Sequence, residues 1–187
     1  MKRHVPFALT TLRLLLGPVA LLCALVNVTR LVYLFILLAG TLSDIFDGIL
    51  ARRFGVATPR LRRYDSVTDV IYYLFLFGAA WILCKPVMLR SGLAIGLLVL
   101  SELAVIAVSF SRFRKYPATH SYLAKFYGLC MLGALVALLV FNASGWVVST
   151  LAVVAVVTNA EIIAIHFLTK SPPVDVRSVF ALYKRGP

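Results

Sequence analysis

Six long apolar runs, separated by short polar segments, dominate the pattern of the chain. They lie at residues 10–28, 31–50, 66–84, 90–110, 121–141 and 146–168. An apolar helix of about 18 residues or more is long enough to cross the hydrocarbon core of a bilayer. The pattern therefore predicts an all-α integral membrane protein with six transmembrane helices. We expect a single domain over residues 1–187, with a short N-terminal segment (1–9) and a C-terminal tail (169–187).

Composition and charge agree with a membrane protein. The chain is 61% hydrophobic with a mean hydropathy of +0.96, which excludes a soluble domain. Its net charge is +12, yet of the 19 Lys and Arg residues all but three flank one side of the predicted bundle. The three exceptions are Arg30, Lys85 and Arg90. Because positive charge marks the cytoplasmic side, both termini are predicted to be cytoplasmic. A prokaryotic inner membrane is the default location, a eukaryotic organelle stays open, and no nucleic-acid partner is expected.

Acidic residues are rare and concentrated in one stretch. Of the seven in the chain, four are Asp44, Asp47, Asp65 and Asp69. Each pair is spaced by three or four positions, so its two members share one face of a helix. An ionised carboxylate within a transmembrane helix costs about 2.5–3.5 kcal/mol. Carboxylates clustered in this way suit Mg²⁺ or Mn²⁺, and two opposed faces would hold two such ions, as in phosphoryl-transfer sites.

Two residues beside this stretch fit the handling of a phosphate. Gly48 leaves bare backbone where a ligand approaches closely, and Arg52 lies one helical turn further on. The alternative is that the carboxylates only balance nearby arginines, namely Arg52, Arg53, Arg60, Arg62 and Arg63. Simple charge balance does not require aspartates at helical spacing beside a membrane boundary. The spacing therefore favours a metal site.

The same stretch resembles the signature of the CDP-alcohol phosphotransferase family, D-x2-D-G-x2-A-R-x8-G-x3-D-x3-D. The matching residues are Asp44, Asp47, Gly48, Ala51, Arg52, Asp65 and Asp69. An earlier segment is similar to the P-N-x-L-T-x-x-R pattern that precedes the first span in such enzymes. Its matching residues are Pro6, Leu9, Thr10 and Arg13. The chain departs from these patterns at Leu61, where the family has a glycine close to the nucleotide, and at Phe7, where it has an asparagine.

The resemblance implies a transfer reaction. A phosphatidyl-type group would pass from a CDP-linked lipid, CDP-diacylglycerol, to a polar alcohol, with release of CMP. Asp44, Asp47 and Asp65 would be the principal metal ligands, and Asp69 would complete the metal site and act as the base toward the acceptor. The site would hold two Mg²⁺ or Mn²⁺ ions. Relatives are dimers, so a homodimer is also implied.

The resemblance also assigns the two substrate sites. Gly48, Ala51 and Arg52 would line the CDP site. In relatives that use glycerol phosphate or inositol phosphate, basic residues after the fourth span bind the phosphate of the acceptor. The candidates here are Arg112, His120 and Lys125. They favour a phosphorylated polyol, glycerol 3-phosphate before inositol phosphate, although an uncharged headgroup such as serine stays open because positive charge there also follows from topology.

Two other classes of protein use similar residues. A membrane prenyltransferase also has Asp-rich motifs and needs Mg²⁺, but it generally has more spans and lacks the Asp-Gly-x-x-Ala-Arg continuation. A cation transporter would spread its carboxylates along a path through the membrane, whereas four of the seven cluster here. Release of CMP distinguishes the transferase from both alternatives.

Arg13, Glu102 and Glu161 lie within apolar runs outside the acidic stretch. Arg13 is expected either to snorkel to the interface or to pair with an acidic neighbour, and its match to the N-terminal pattern also fits a supporting role at the active site. Glu102 and Glu161 lie well inside predicted spans. Intramembrane carboxylates of this kind are functional or form hydrogen bonds between helices, and we expect structural roles for both.

Overall fold

The computed structural model describes residues 4–117, 119, 121–173 and 176–183. Within these residues there are eight helices and no strand. The helices are α1 (Val5–Leu25), α2 (Leu31–Arg53), α3 (Pro59–Leu83), α4 (Lys85–Arg90), α5 (Gly92–Phe113), α6 (Tyr122–Leu139), α7 (Trp146–Leu168) and α8 (Val179–Tyr183). All but α4 and α8 are long and apolar enough to cross a membrane. The prediction of an all-helical protein with six spans is therefore confirmed, while the sidedness of its termini stays a prediction.

Two helices begin earlier than the apolar runs indicated. α1 begins at Val5, with Pro6 in its first turn, where a missing backbone N–H costs no helical hydrogen bond. α3 begins at Pro59, and the Thr58 side chain accepts a hydrogen bond from the Leu61 amide at 3.2 Å. This side-chain cap satisfies one of the unpaired amides of the first turn. Both helices therefore begin at local signals, a proline in the first turn and, for α3, a side-chain cap, that a hydropathy pattern does not register.

The first of two compact units comprises the described chain up to Pro86 together with Leu135–Ala143. In this unit α1 packs against both α2 and α3. Tyr72 on α3 is buried, and its hydroxyl donates to the Ile36 carbonyl of α2 at 3.1 Å. The ring lies against Gly40, where a Cβ would collide with the Tyr72 hydroxyl. A glycine at this position therefore leaves room for the Tyr72 side chain and its hydrogen bond to α2.

Arg30, just before α2, ties the end of α6 into the first unit. Its guanidinium donates to the carbonyls of Leu138 and Leu139 at 3.3 and 3.2 Å. The Cys84 thiol donates to the same Leu138 carbonyl at 3.3 Å. The Leu138 carbonyl also accepts from the Asn142 amide at 3.1 Å. Leu139 is the last residue of α6, where helix carbonyls lack a partner within the helix, so Arg30 satisfies that group.

The second unit comprises Val87–Ala134 and the described residues from Ser144 onward. In this unit α5 packs against α7. The Asn159 side-chain amide on α7 donates to the Ser101 hydroxyl on α5 at 2.9 Å. This polar contact between two apolar helices is of the kind that holds transmembrane helices together.

Glu161 connects three segments of the second unit. Its carboxylate accepts a hydrogen bond from the Ser121 hydroxyl at 2.8 Å and another from the Val179 amide at 3.3 Å. The first donor lies at the start of α6 and the second at the start of α8, so both segments are tied to α7. The expected structural role of this carboxylate is the one observed. The expectation of a single domain for the whole chain stays a prediction.

Candidate active site

Four carboxylates come together within the first unit. Asp44 and Asp47 lie one turn apart on α2, and Asp65 and Asp69 lie one turn apart on α3. We call these four residues the aspartate cluster. Carboxylate oxygens of Asp44, Asp47 and Asp65 lie within 4.8 Å of one another. The aspartate-bearing faces of α2 and α3, which the spacing predicted, therefore point toward each other. This arrangement lets carboxylates from both helices bind the same ligand.

Arg13 of α1 joins all four members of the aspartate cluster. Its Nη1 donates to Asp44 Oδ1 at 2.7 Å and also to Asp69 Oδ1. Its Nη2 donates to Asp47 Oδ2 at 2.7 Å and to Asp65 Oδ1 at 2.8 Å. The Arg13 side chain is only 2% exposed, so it pairs with acidic neighbours and does not snorkel to the interface. The flat fork of the guanidinium allows one cation to contact four carboxylates.

Thr10, one turn before Arg13 on α1, supports the same cluster. Its buried hydroxyl lies 2.9 Å from Asp47 Oδ2 and 3.1 Å from the Pro6 carbonyl of its own helix. Hydrogen bonds to an ionised acceptor are roughly twice as strong as neutral ones, so the hydroxyl proton favours the carboxylate. Asp47 thus accepts from both Thr10 and Arg13, which fixes its orientation.

Exposure differs among the four carboxylates and shows where the cluster is open. The Asp47 side chain is 7% exposed, whereas Asp65 and Asp69 are 25% and 32% exposed and Asp44 is 50% exposed. The cluster is therefore closed at Asp47 and accessible at Asp44. A ligand that approaches from outside meets Asp44 first, while Asp47 forms the floor.

The charges within the cluster do not balance. One guanidinium carries a single positive charge, and four ionised carboxylates carry four negative charges. Two like charges about 4 Å apart repel by roughly 4 kcal/mol at an effective dielectric constant of 20. Further positive charge is therefore stabilising here. Several carboxylate oxygens within a few ångströms are a donor set that Mg²⁺ and Mn²⁺ prefer, so the residues present fit a divalent metal ion.

The three residues predicted to line a CDP site lie on α2 beside the cluster. Gly48 is half-buried and follows Asp47 directly, while Ala51 is buried one turn further on. Arg52 is exposed, and its side chain runs back along the helix. A Cβ built on Gly48 would lie 3.7 Å from Arg52 Nη1. Bare backbone and a guanidinium therefore lie side by side at the edge of the cluster.

The two departures from the family patterns lie close to the cluster in sequence and structure. Leu61 precedes Asp65 by one helical turn on α3, so the two residues share a face. Phe7 stacks on Tyr64, with ring centroids 4.9 Å apart and planes inclined by 18°. The Thr11 hydroxyl lies 3.0 Å from the Tyr64 hydroxyl. Phe7 therefore contributes an aromatic contact between α1 and α3 next to Asp65.

The predicted acceptor residues belong to the second unit or fall outside the description. The guanidinium of Arg112 lies over the Phe167 ring, 5.2 Å from its centroid, and donates to the Thr169 carbonyl at 3.4 Å. Lys125 Nζ lies 5.7 Å from the centroid of the Tyr122 ring. His120 lies outside the described residues. The two described candidates therefore contact aromatic rings of their own unit.

Sequence reasoning left Arg13 with three possible roles, one of them support of the active site, and it did not assign Thr10 to the site. Both residues matched the N-terminal pattern, and their spacing of three positions places them on one face of α1. A second signal was the excess of carboxylate charge in the acidic stretch, which calls for a buried cation. Together these two signals identify α1 as the third helix of the site.

The fold and the site define a helical membrane protein with a partly buried carboxylate cluster suited to a divalent metal ion. Residues 3–160 match the family model for CDP-alcohol phosphatidyltransferase, and the chain belongs to this family. The family predicted from the signature is thereby confirmed. Membership supports transfer of a phosphatidyl group from a CDP-alcohol to an alcohol acceptor, in a family that typically depends on divalent metal. No curated protein and no solved structure matches the chain significantly.

Proposed function

We propose that the protein transfers a phosphatidyl group from CDP-diacylglycerol to a phosphorylated alcohol and releases CMP. Glycerol 3-phosphate is the first candidate acceptor and inositol phosphate the second. The observation that carries this proposal is the aspartate cluster within a membrane-embedded unit, beside Gly48 and Arg52. A lipid donor needs its headgroup bound at the edge of the bilayer, and the polar ends of α2 and α3 suit that depth.

The aspartate cluster would bind Mg²⁺ or Mn²⁺, with two ions per site. The bound metal would neutralise the charge of the donor's pyrophosphate and stabilise the departing CMP. Asp47 is suited to a ligand role because the buried Thr10 hydroxyl donates to it and holds it in one orientation. Asp44 and Asp65 lie within reach of the same ion. These positions support the predicted ligand set.

Asp69 is proposed as the base. In the reaction the acceptor's hydroxyl oxygen forms a bond to the phosphorus that carries the lipid, and the bond from that phosphorus to CMP breaks. The hydroxyl proton passes to a carboxylate within hydrogen-bonding reach. Asp69 is about one third exposed, more than Asp47, so it remains accessible to an acceptor. It must be ionised to accept the proton.

Gly48, Ala51 and Arg52 are proposed to bind the CDP part of the donor. Gly48 and Ala51 present little side-chain bulk, so a diphosphate can approach the backbone of α2. Arg52 is exposed beside them and can form paired hydrogen bonds with phosphate oxygens. Leu61, in place of the family's glycine, would narrow this site and change its preference for the donor.

Arg112, His120 and Lys125 remain the proposed contacts for the acceptor's phosphate. Arg112 and Lys125 are exposed or half-buried, and each contacts an aromatic ring in its present position. A cation held over an aromatic ring keeps its charge available to an anion that approaches from the other side. A cytoplasmic site, a prokaryotic inner membrane and a homodimer stay expectations from charge placement and resemblance.

The test is metal-dependent release of CMP by the purified protein with CDP-diacylglycerol and a panel of acceptors. The panel contains glycerol 3-phosphate, inositol phosphate and serine. Asp69→Asn preserves size and removes the base, so release should fall by about a hundredfold or more. Glu102→Gln is the matched control, because it removes an intramembrane carboxylate from the second unit.

The outcomes separate the proposed function from its rivals. Turnover with one phosphorylated acceptor, lost with chelator and in Asp69→Asn but retained in Glu102→Gln, supports the proposal. Turnover with serine alone overturns the choice of acceptor and retains the transfer reaction. Absence of CMP release, combined with metal-ion flux into vesicles that contain the protein, overturns the transferase in favour of a cation transporter.

A further inference from the structure

Arg13 makes the contacts that a bound cation would make in the aspartate cluster. Its two terminal nitrogens contact one oxygen of each of the four carboxylates. We propose that Arg13 is an internal cation that competes with divalent metal ions for the aspartate cluster, so that metal loading requires its guanidinium to withdraw. This inference rests on the proposed function, because it concerns the same metal site.

The competition follows from the geometry of the oxygens. A divalent ion binds carboxylate oxygens at about 2.0–2.6 Å, whereas Arg13 donates to its partners at 2.7–2.8 Å for three of the four contacts. The lone pairs that accept from the guanidinium are not available to a metal ion, which is left mainly with the second oxygen of each carboxylate. In addition, two cations that share carboxylates in a partly buried site repel each other. The guanidinium and the metal therefore cannot both make their full set of contacts.

The remainder of the Arg13 side chain does not oppose withdrawal. Its Nε is buried and has no hydrogen-bond partner within the described part of the chain. The side chain is therefore held by its terminal nitrogens, and these are the groups that a metal would release. Pro18 lies one turn and a half further along α1 and cannot donate to the helix. The backbone hydrogen bonds of α1 are therefore interrupted just after Arg13, at a residue type where helices bend.

The proposed competition would serve two purposes for this chain. Arg13 would hold four mutually repelling carboxylates together until metal binds, which stabilises the first unit. It would also lower the affinity of the site for metal, since metal must displace a cation already present. Removal of Arg13 should therefore have opposite effects on the two properties: lower thermal stability without metal and tighter binding of metal.

The experiment measures thermal unfolding of the purified, detergent-solubilised protein in chelator and across a Mn²⁺ titration. The readout is the Mn²⁺ concentration that gives half of the maximal stabilisation. In Arg13→Met the Tm in chelator should fall, and the half-maximal Mn²⁺ concentration should fall at least tenfold. Arg13→Lys keeps the positive charge but lacks the two terminal nitrogens of the guanidinium. Its half-maximal Mn²⁺ concentration should therefore lie between those of Arg13→Met and the wild type.

Arg30→Met is the matched control. Arg30 is also a partly buried arginine of the first unit, but its guanidinium donates to the backbone carbonyls of Leu138 and Leu139. Its removal should lower the Tm with and without metal. The half-maximal Mn²⁺ concentration should remain within twofold of the wild type. A merely structural role for Arg13 would give the same result as this control.

Each outcome decides the inference. An unchanged or higher half-maximal concentration in Arg13→Met overturns the competition and leaves the proposed function standing. Binding of Mn²⁺ by Arg13→Met but not by the wild type supports competition in its strongest form. Absence of Mn²⁺ binding in both proteins overturns the metal site and the inference together. If Arg13→Met yields no folded protein with or without Mn²⁺, the test passes to Arg13→Lys. A half-maximal Mn²⁺ concentration in Arg13→Lys equal to or above that of the wild type then overturns the proposal.

Discussion

Replacement of Thr10 by valine removes one hydroxyl from the floor of the aspartate cluster and preserves the shape of the side chain. Thr10 is 1% exposed, and its hydroxyl donates to Asp47 at 2.9 Å. Loss of a hydrogen bond to a charged group costs about 1.5–3 kcal/mol. When a metal ion displaces Arg13, Thr10 is the donor that still orients Asp47, and the variant lacks it. We therefore expect Asp47 to become a poorer metal ligand.

The size of the effect follows from that energy. A difference of about 1.4 kcal/mol corresponds to a factor of ten, so kcat/KM for CMP release should fall about tenfold or more in Thr10→Val. The half-maximal metal concentration should rise, because the misoriented carboxylate binds the ion less well. The assay is CMP release at several Mg²⁺ or Mn²⁺ concentrations.

The neighbouring residue provides the control. Thr11→Val is the same chemical change one position along, and the Thr11 hydroxyl donates to the Phe7 carbonyl and lies beside the Tyr64 hydroxyl. It has no contact with Asp47, so metal dependence should stay at the wild-type value. Equal behaviour of Thr10→Val and Thr11→Val would refute the reasoning, because it would mean that the hydroxyl on Asp47 has no effect on the site.

Three further predictions concern packing, the C-terminal segment and metal. Gly40→Ala should lower the free energy of unfolding by about 1–3 kcal/mol, because the new methyl group displaces the Tyr72 hydroxyl from its hydrogen bond to the Ile36 carbonyl. In the control, Gly96→Ala, a Cβ meets nothing within 4 Å in the described structure, so the Tm should not fall. Glu161→Gln should increase amide exchange at Val179, measured by mass spectrometry, since a neutral amide is a weaker acceptor than a carboxylate. Chelation should abolish CMP release, and Mg²⁺ or Mn²⁺ should restore it while Ca²⁺, which prefers more ligands and longer bonds, should restore little.

The six spans could be predicted because a membrane helix must bury every backbone polar group and present apolar side chains to lipid. A membrane helix is therefore recognisable in the sequence as a long run of apolar residues. The polar ends of the helices follow different rules. α3 begins at Pro59 and not at residue 66, because a Thr58 cap and a proline set its start while its first turns carry arginines. The short helix α4 was not predicted for a related reason, since six residues are too few to show a helical periodicity of apolar positions.

The members of the aspartate cluster could be predicted from spacing along two helices, and their approach across α2 and α3 is observed. The acceptor residues could not be tested in this way. Arg112 and Lys125 lie in the second unit, and His120 lies outside the described residues. Basic residues near a membrane interface can reflect either the topology of the protein or the binding of an anionic ligand. A basic stretch in the sequence does not distinguish between these two causes.

Arg13 shows why a third helix belongs to a site whose signature covers only two. The carboxylates on α2 and α3 repel one another, and the residues that hold them, Thr10 and Arg13, both come from α1. Since α1 packs against α2 and α3, the charge balance of the cluster and the stability of the first unit depend on the same contacts. A variant of the cluster will therefore tend to change stability and activity together. The two effects separate only in matched pairs, Thr10 with Thr11 and Arg13 with Arg30, in which the same chemical change is made beside the carboxylates and away from them.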